Sequence, residues 1–537
     1  MRAMNMKKLT SITRLFAALM VAATLLTATA YAAAPGIKGS SFNLTASPAY
    51  ITQPDGQMVY SWGYGCTSTS GTTFVPANLT TSPFCNVMQI PGPTLVVTQG
   101  ATVTVTLTNS LPTAAGNTSI LFPGFQVTTT GGVAGLLTQE AANGGTVTYS
   151  FVASTPGTHS YYSGTQGDLQ VEMGLYGAII VLPTAAPTPG CPARNTAATV
   201  DPANPTALLA GGESDFRLST TGAAYGVAGS CYDREYLFQF SEMDPRIHSQ
   251  ALAQVTAKAG CVAGAPGCSL EVATEPYVPA YFMINGRSMP DDMDSNYAQQ
   301  YPHQPYNGNP HMHPGDQVLL RIIGQGRWQH PFHEHGNHVR ILARDGNLIT
   351  SASNAQLLAG PLMFTTTTTP GVAMDGIFYW SGKGLNWDPY AHNPASSDPV
   401  AKLPCHPDSN GYNTGDPTAI NYYEWCQDHN KPLETAPFGD VAGKGPATLP
   451  DANILTNGAW YGGSAYLGPN ATGRAVGPTG TTPPSGTIAN SPTSEAGFAF
   501  MWHSHNEREI TTNNIFPGGM MMMMLVDSRE YPIDESN

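Results

Sequence analysis

Ala101-Thr-Val-Thr-Val-Thr-Leu-Thr-Asn109 alternates strictly between apolar and polar side chains. In an extended strand successive side chains point to opposite faces, so Val103, Val105 and Leu107 share one face and the threonines the other. That is the pattern of a strand with one buried side. Pro93-Thr-Leu-Val-Val-Thr-Gln-Gly100 leads into it, and Thr146-Val-Thr-Tyr-Ser-Phe-Val152 repeats the alternation. Gly174-Leu-Tyr-Gly-Ala-Ile-Ile-Val181 is a nearly continuous apolar run, which predicts a strand buried on both sides. These strands mark out a first β domain over 37–182. Residues 183–214, rich in Pro, Ala and Thr, read as a linker. A second β domain over 215–528 is predicted from Arg234-Glu-Tyr-Leu-Phe-Gln-Phe240, Tyr281-Phe-Met-Ile284, Gln317-Val-Leu-Leu-Arg-Ile-Ile323, Val339-Arg-Ile-Leu342 and the terminal run through Val526. Within it, 387–494 is weakly hydrophobic and rich in Gly, Asn and Pro, and reads as a long inserted loop. With 57 Gly and 45 Pro, turns are frequent, and helix-periodic stretches are scarce. The expected class is therefore all-β.

The N-terminus stands apart. Lys7, Lys8 and Arg14 precede an apolar run from Leu15 to Leu26, and Ala30-Tyr-Ala32 follows as a cleavage signal. Residues 1–32 are thus predicted to be a secretory signal peptide, placing the mature chain in the periplasm or outside the cell. No later stretch is long and apolar enough to span a bilayer as a helix. The chain has 22 Lys and Arg against 36 Asp and Glu, a formal net charge of −14. An acidic chain without basic runs argues against nucleic acid and anionic membranes as partners. Eight cysteines lie mostly in loop-like sequence, in a compartment that permits disulfides. Pairing of neighbours (66–85, 191–231, 261–268 and 405–426) is the simplest expectation. Soft-metal ligation is the alternative, but no C-x-x-C spacing supports it.

Two histidine clusters carry the chemistry: His330-Pro-Phe-His-Glu-His335-Gly and Trp502-His-Ser-His505. Residues i and i+2 of a strand share a face, so His333 pairs with His335 and His503 with His505. Two such strands side by side converge four imidazoles on one spot. Imidazole suits copper, zinc, iron and nickel, and the residues alone allow zinc as well as copper. His338, just past the first cluster, is a further candidate ligand, with a surface role as its alternative. His311-Met-His313 has ligand spacing inside a Pro/Asn/Gly loop. Met520 to Met524 offers soft sulfur, yet alternation makes it a core strand. Glu507, Arg508 and Glu509 either orient ligands or form a solvated turn.

These motifs, together with Pro91-Gly-Pro-Thr-Leu, Gly157-Thr-His-Ser-Tyr-Tyr162, Ile284-Asn-Gly-Arg-Ser-Met-Pro290 and Gly315-Asp-Gln-Val-Leu-Leu-Arg321, resemble the multicopper oxidase family over most of the chain. The resemblance implies tandem cupredoxin-like Greek-key β-sandwich domains with long loops. It implies copper as the cofactor, with His333, His335, His503 and His505 in the positions of trinuclear-cluster ligands. His330 corresponds to a ligand of the family's blue copper. Ser504 stands where the family has that copper's Cys, and Glu509 roughly where it has a later His. The first domain places Leu121-Phe-Pro123 and Tyr162-Ser-Gly164 where the family has two further HxH segments. A Ser hydroxyl cannot replace the thiolate that tunes blue copper. The expected function is an exported copper-binding oxidoreductase with a reduced, His-only copper site, no blue copper, and a small molecule or metal ion as substrate. A non-catalytic copper-binding, copper-buffering or envelope scaffold protein is the alternative. Homo-oligomer formation is left open.

Overall fold

The computed structural model describes residues 34–67, 73–75, 83–184, 187–188, 190–191, 200–201, 204–208, 222–312, 316–380, 406, 463–467, 488–489, 496–527 and 533. The expected leader over 1–32, most of the 183–214 linker, most of the 387–494 insertion, His313, Cys405 and Cys426 lie outside these residues.

Two β-sandwiches are built in tandem. In the first, strand Thr102–Asn109 pairs antiparallel with Thr146–Val152 and parallel with Ser41–Thr52. The register places Val103, Val105 and Leu107 opposite Phe151, Tyr149 and Val147, with Phe42 and Leu44 alongside. All eight side chains are buried in one core. The threonine face does the opposite job: Thr106 and Thr148 hydroxyls meet at 3.0 Å on the half-buried outer side. Burying such aliphatic side chains contributes roughly 1.5–3 kcal/mol each, which is what selects this register. The facing five-stranded sheet has the order Gly157–Tyr162, Tyr176–Leu182, Leu95–Thr98, Gly36–Lys38, Thr73–Val75.

Strand Tyr176–Leu182 shows why its sequence is apolar without a break. Ile179 and Val181 enter the first core, while Ala178, Ile180 and Leu182 pack outward on Leu237, Ile323 and Ala373 of the second sandwich. The two sandwiches thus stack sheet on sheet. A buried polar network is set into the same junction. Arg321 Nε donates to Glu235 Oε2 at 2.6 Å, and its Nη1 lies 3.6 Å from Asp375 Oδ1. Asp375 also accepts from Thr158 N (3.1 Å) and the Tyr225 hydroxyl (2.5 Å), tying both sandwiches to one carboxylate.

In the second sandwich, one sheet runs Tyr281–Ile284, Arg234–Met243, Gln317–Gly324, Ala373–Tyr379, Val339–Arg344, Asn347–Leu348. The other runs His311–Met312, Met521–Asp527, Ala496–Ser504, His330–Glu334, Thr365–Thr368. Tyr236, Phe238, Phe240, Phe332, Phe500 and Trp502 fill the space between them. Met520, Met522 and Met524 join that core, as strand alternation requires. The fold is all-β, with the tandem cupredoxin-like sandwiches implied by the sequence resemblance.

One helix was not anticipated. Pro245–Ala257 begins at Asp244, whose side chain accepts from Arg246 N, with Pro245 at the first helical position. Ile247 and Ala251, four apart on one face, reach back with Leu270 into the core of the first sandwich. Chain that follows the linker therefore completes the domain that precedes it. Disulfides join Cys66 to Cys85, Cys191 to Cys231 and Cys261 to Cys268, three of the expected neighbour pairs. Among the described residues no helix is long and apolar enough to cross a membrane.

Candidate metal centre

Strands His330–Glu334 and Ala496–Ser504 lie antiparallel and adjacent, with His333 directly opposite His503, Phe332 opposite Ser504 and Glu334 opposite Trp502. The ladder continues through His505 N donating to Pro331 O at 2.8 Å, and Trp502 Nε1 donates to His335 O at 2.8 Å. Phe332 and Trp502 face the core, so the parity of both strands sends His333, His335, His503 and His505 to the other face. Their rings gather there. The His333 ring centroid lies 4.9 Å from that of His335, 5.5 Å from His503 and 4.7 Å from His505. His335 and His503 are 5.2 Å apart and His503 and His505 are 5.5 Å apart. His333 and His503 are buried, His335 is half-buried, and the His505 side chain is 52% exposed.

His333, His335 and His503 each present a ring nitrogen, and these atoms all lie within 4.8 Å of one another. The His503 tautomer is set from outside the cluster. His503 Nδ1 sits 2.8 Å from the carbonyl of Ser504, which only accepts, so Nδ1 carries the proton and Nε2 keeps its lone pair. That Nε2 faces His335 Nε2 at 3.3 Å. His333 Nδ1 is 2.7 Å from the Thr365 hydroxyl. Burial, then the neighbouring imidazoles, pushes the His333 pKa down to about 4, and burial likewise lowers that of His503. Neutral, pre-oriented imidazoles with outer hydrogen bonds are the donor set of a transition-metal site, so the residues fit a copper or zinc ion.

Not every predicted residue joins them. His330 lies on the core side of its strand, fully buried, and both ring nitrogens are taken: Nε2 is 2.9 Å from Glu242 Oε2 and Nδ1 is 2.8 Å from Glu509 Oε2. Glu509 also accepts from the Ser504 hydroxyl and from Asn506 Nδ2 (2.9 Å). Glu242 Oε1 accepts from the backbone N–H of Arg327 (2.6 Å) and Trp328 (2.9 Å). Burial alone would lower the His330 pKa, but the two carboxylates raise it to about 9. Where the family resemblance implies a blue copper, this chain holds the His330 ring clamped between two glutamates, both of its nitrogens within hydrogen-bond distance of a carboxylate. His338 is also apart. Its ring packs 5.1 Å from that of Phe364 and it lines a surface groove with Arg340, Leu357 and Leu362.

His311 is buried on the edge strand beside Leu525, where its backbone exchanges hydrogen bonds with the Tyr236 hydroxyl. Met521 is placed across the ladder from His503. Glu507 lies 3.6 Å from His505 Nδ1, both well exposed. In the first sandwich, the Leu121 and Tyr162 backbones pair, so the two segments aligned with ligand motifs do meet, but they bring no nitrogen donors.

Glu242 was missed from sequence, although a signal existed. In Arg234–Met243 it shares parity with Tyr236, Phe238 and Phe240, which face the core. A carboxylate at a core-parity position needs a buried partner.

Residues 70–186 match the family model described as multicopper oxidase, in agreement with the sequence resemblance. No curated protein matches. Among solved structures, the chain is similar to a multicopper oxidase, mgLAC, at 15% identity, covering 92% of this chain and 87% of that one with a TM-score of 0.42. It is similar to a blue copper oxidase from Nitrosomonas europaea at 15% identity over 90% of this chain and 85% of that one, TM-score 0.43. A copper nitrite reductase from the same organism is 16% identical over 65% of this chain and 86% of that one, TM-score 0.37.

Proposed function

We propose that this protein is an exported copper-dependent oxidoreductase whose metal is held by His333, His335, His503 and His505, without a blue copper. The observation that carries the reading is the convergence of those four rings on one face of two paired strands. Three of the four have a definable task. His503, with Nδ1 committed to the Ser504 carbonyl, offers Nε2. Thr365 orients His333. His505, the exposed member, marks the side from which substrate or solvent reaches the centre. Copper, when bound, supplies one-electron redox chemistry. The absence of a thiolate at Ser504, and the full hydrogen bonding of His330, leave substrate to react directly at the four-histidine centre.

A second reading, copper binding without turnover, is favoured by Leu121 and Tyr162, which leave the first sandwich without nitrogen donors at the aligned positions. One experiment separates the two. The protein is loaded with Cu(II), its metal content measured, and its paramagnetic resonance followed through reduction and re-exposure to air. Oxygen uptake is measured with phenols, metal ions and nitrite. The parent is expected to hold copper that cycles, and His333→Ala/His503→Ala to lose it. Stoichiometric copper without turnover on any substrate selects the second reading. Equal copper in parent and variant sinks both.

A further inference from the structure

We infer that the junction between the two sandwiches contains a binding site for a small, uncharged molecule, separate from the histidine centre. A cavity of about 380 Å³ lies where Leu121 and the Tyr162–Gly164 turn of the first sandwich face Gln325–Gly326 and Pro370–Gly371 of the second. Its size falls in the ~300–1,000 Å³ range of small-molecule pockets, and junctions between domains are where such pockets concentrate. None of the four clustered histidines lines it.

The chemistry of the wall defines the ligand. No charged side chain lines the cavity. The polar groups that do are already committed. Gln325 Oε1 accepts from Ser160 Oγ at 3.1 Å, and its Nε2 donates to Gly177 O (3.1 Å) and Gln239 Oε1 (3.0 Å). Ser163 Oγ donates to Gln170 Oε1 at 2.7 Å and accepts from Thr165 N at 3.2 Å. Among the described polar side chains on this wall only the Tyr162 hydroxyl makes no hydrogen bond, and burial holds its phenol above the ordinary tyrosine range. The remaining surface is Leu121, Leu137, Val171, Pro370 and bare glycine backbone. A charged ligand entering here loses its hydration and finds no counter-charge, whereas an uncharged one meets aliphatic side chains, glycine backbone and one hydroxyl.

The mouth supports the same reading. Leu137 lines the cavity yet is 64% exposed, beside Leu136 at 92% in the turn between Val133–Ala134 and Gln139–Glu140. A leucine held mostly in water at the rim of this cavity gains burial when the cavity fills.

The test uses two probes that share an aromatic skeleton, N-phenyl-1-naphthylamine, which is neutral, and 8-anilino-1-naphthalenesulfonate, which is anionic. Fluorescence titration of the full chain at neutral pH is expected to show saturable binding of the neutral probe at least tenfold tighter than the anion. Leu137→Asp, on an exposed turn, is expected to weaken the neutral probe tenfold or more. Val171→Trp, which fills the cavity, is expected to do the same. Leu136→Asp and Leu357→Asp, outside the cavity, are expected to bind like the parent. No saturable binding, equal affinity for the two probes, or parent-like binding by both Leu137→Asp and Val171→Trp overturns the inference, whatever the copper experiments return.

Discussion

Replacing His330 by Gln tests the charge arrangement that stands in for a blue copper. The ring lies between Glu242 and Glu509 at 2.9 and 2.8 Å, with all three side chains essentially out of contact with water. Removing the middle charge leaves two carboxylates buried without a cation, and breaking a buried pair costs about 3–5 kcal/mol. The raised pKa of the ring corresponds to a figure of similar size. Its pKa is raised from 6.5 to about 9, which at ~1.4 kcal/mol per unit corresponds to roughly 3 kcal/mol. Because the folded value lies above the unfolded one, this stabilisation is fully present below pH 6.5 and is lost as pH rises through about 9. Urea unfolding followed by tryptophan fluorescence, from pH 6 to 10, compares parent with His330→Gln. The parent is expected to be more stable by roughly 3 kcal/mol at pH 6, with the difference shrinking toward pH 10. His330→Gln/Glu509→Gln, which removes one of the two orphaned charges, is expected to recover part of the loss, a non-additivity typical of coupled groups. A variant within 1 kcal/mol of the parent, or a difference that does not change with pH, refutes the imidazolium assignment.

Two further outcomes follow from the same coordinates. Arg321→Met removes the guanidinium that serves Glu235 and Asp375 at the sandwich junction, and a loss of about 3–5 kcal/mol is expected in urea titration, with both carboxylates left uncompensated. Cys191→Ser/Cys231→Ser opens a link spanning 40 residues, for which chain entropy predicts a loss of about 4 kcal/mol, read as a lower unfolding midpoint that a reductant does not lower further at this bond.

Much of this molecule was legible in one dimension because strand periodicity is local. The alternation of 101–109 and 146–152 named the buried face of the first core, and the spacing of the histidines named the pairs that share a face. Cysteine neighbours paired as their spacing suggested. The helix at Pro245–Ala257 was passed over because its short amphipathic stripe sits in a chain dominated by β signals, although Asp244-Pro245 announces its start.

Local pattern determined the strands, their buried faces and the pairing of histidines two apart, since a period of two needs no knowledge of distant chain. Tertiary structure alone decided what the His330 ring faces. His330 shares a strand with His333 yet faces Glu242, some ninety residues earlier, and Glu509, near the other end of the chain. Charge compensation in a core depends on what lies across the gap, and that is a property of the folded arrangement rather than of neighbours in sequence.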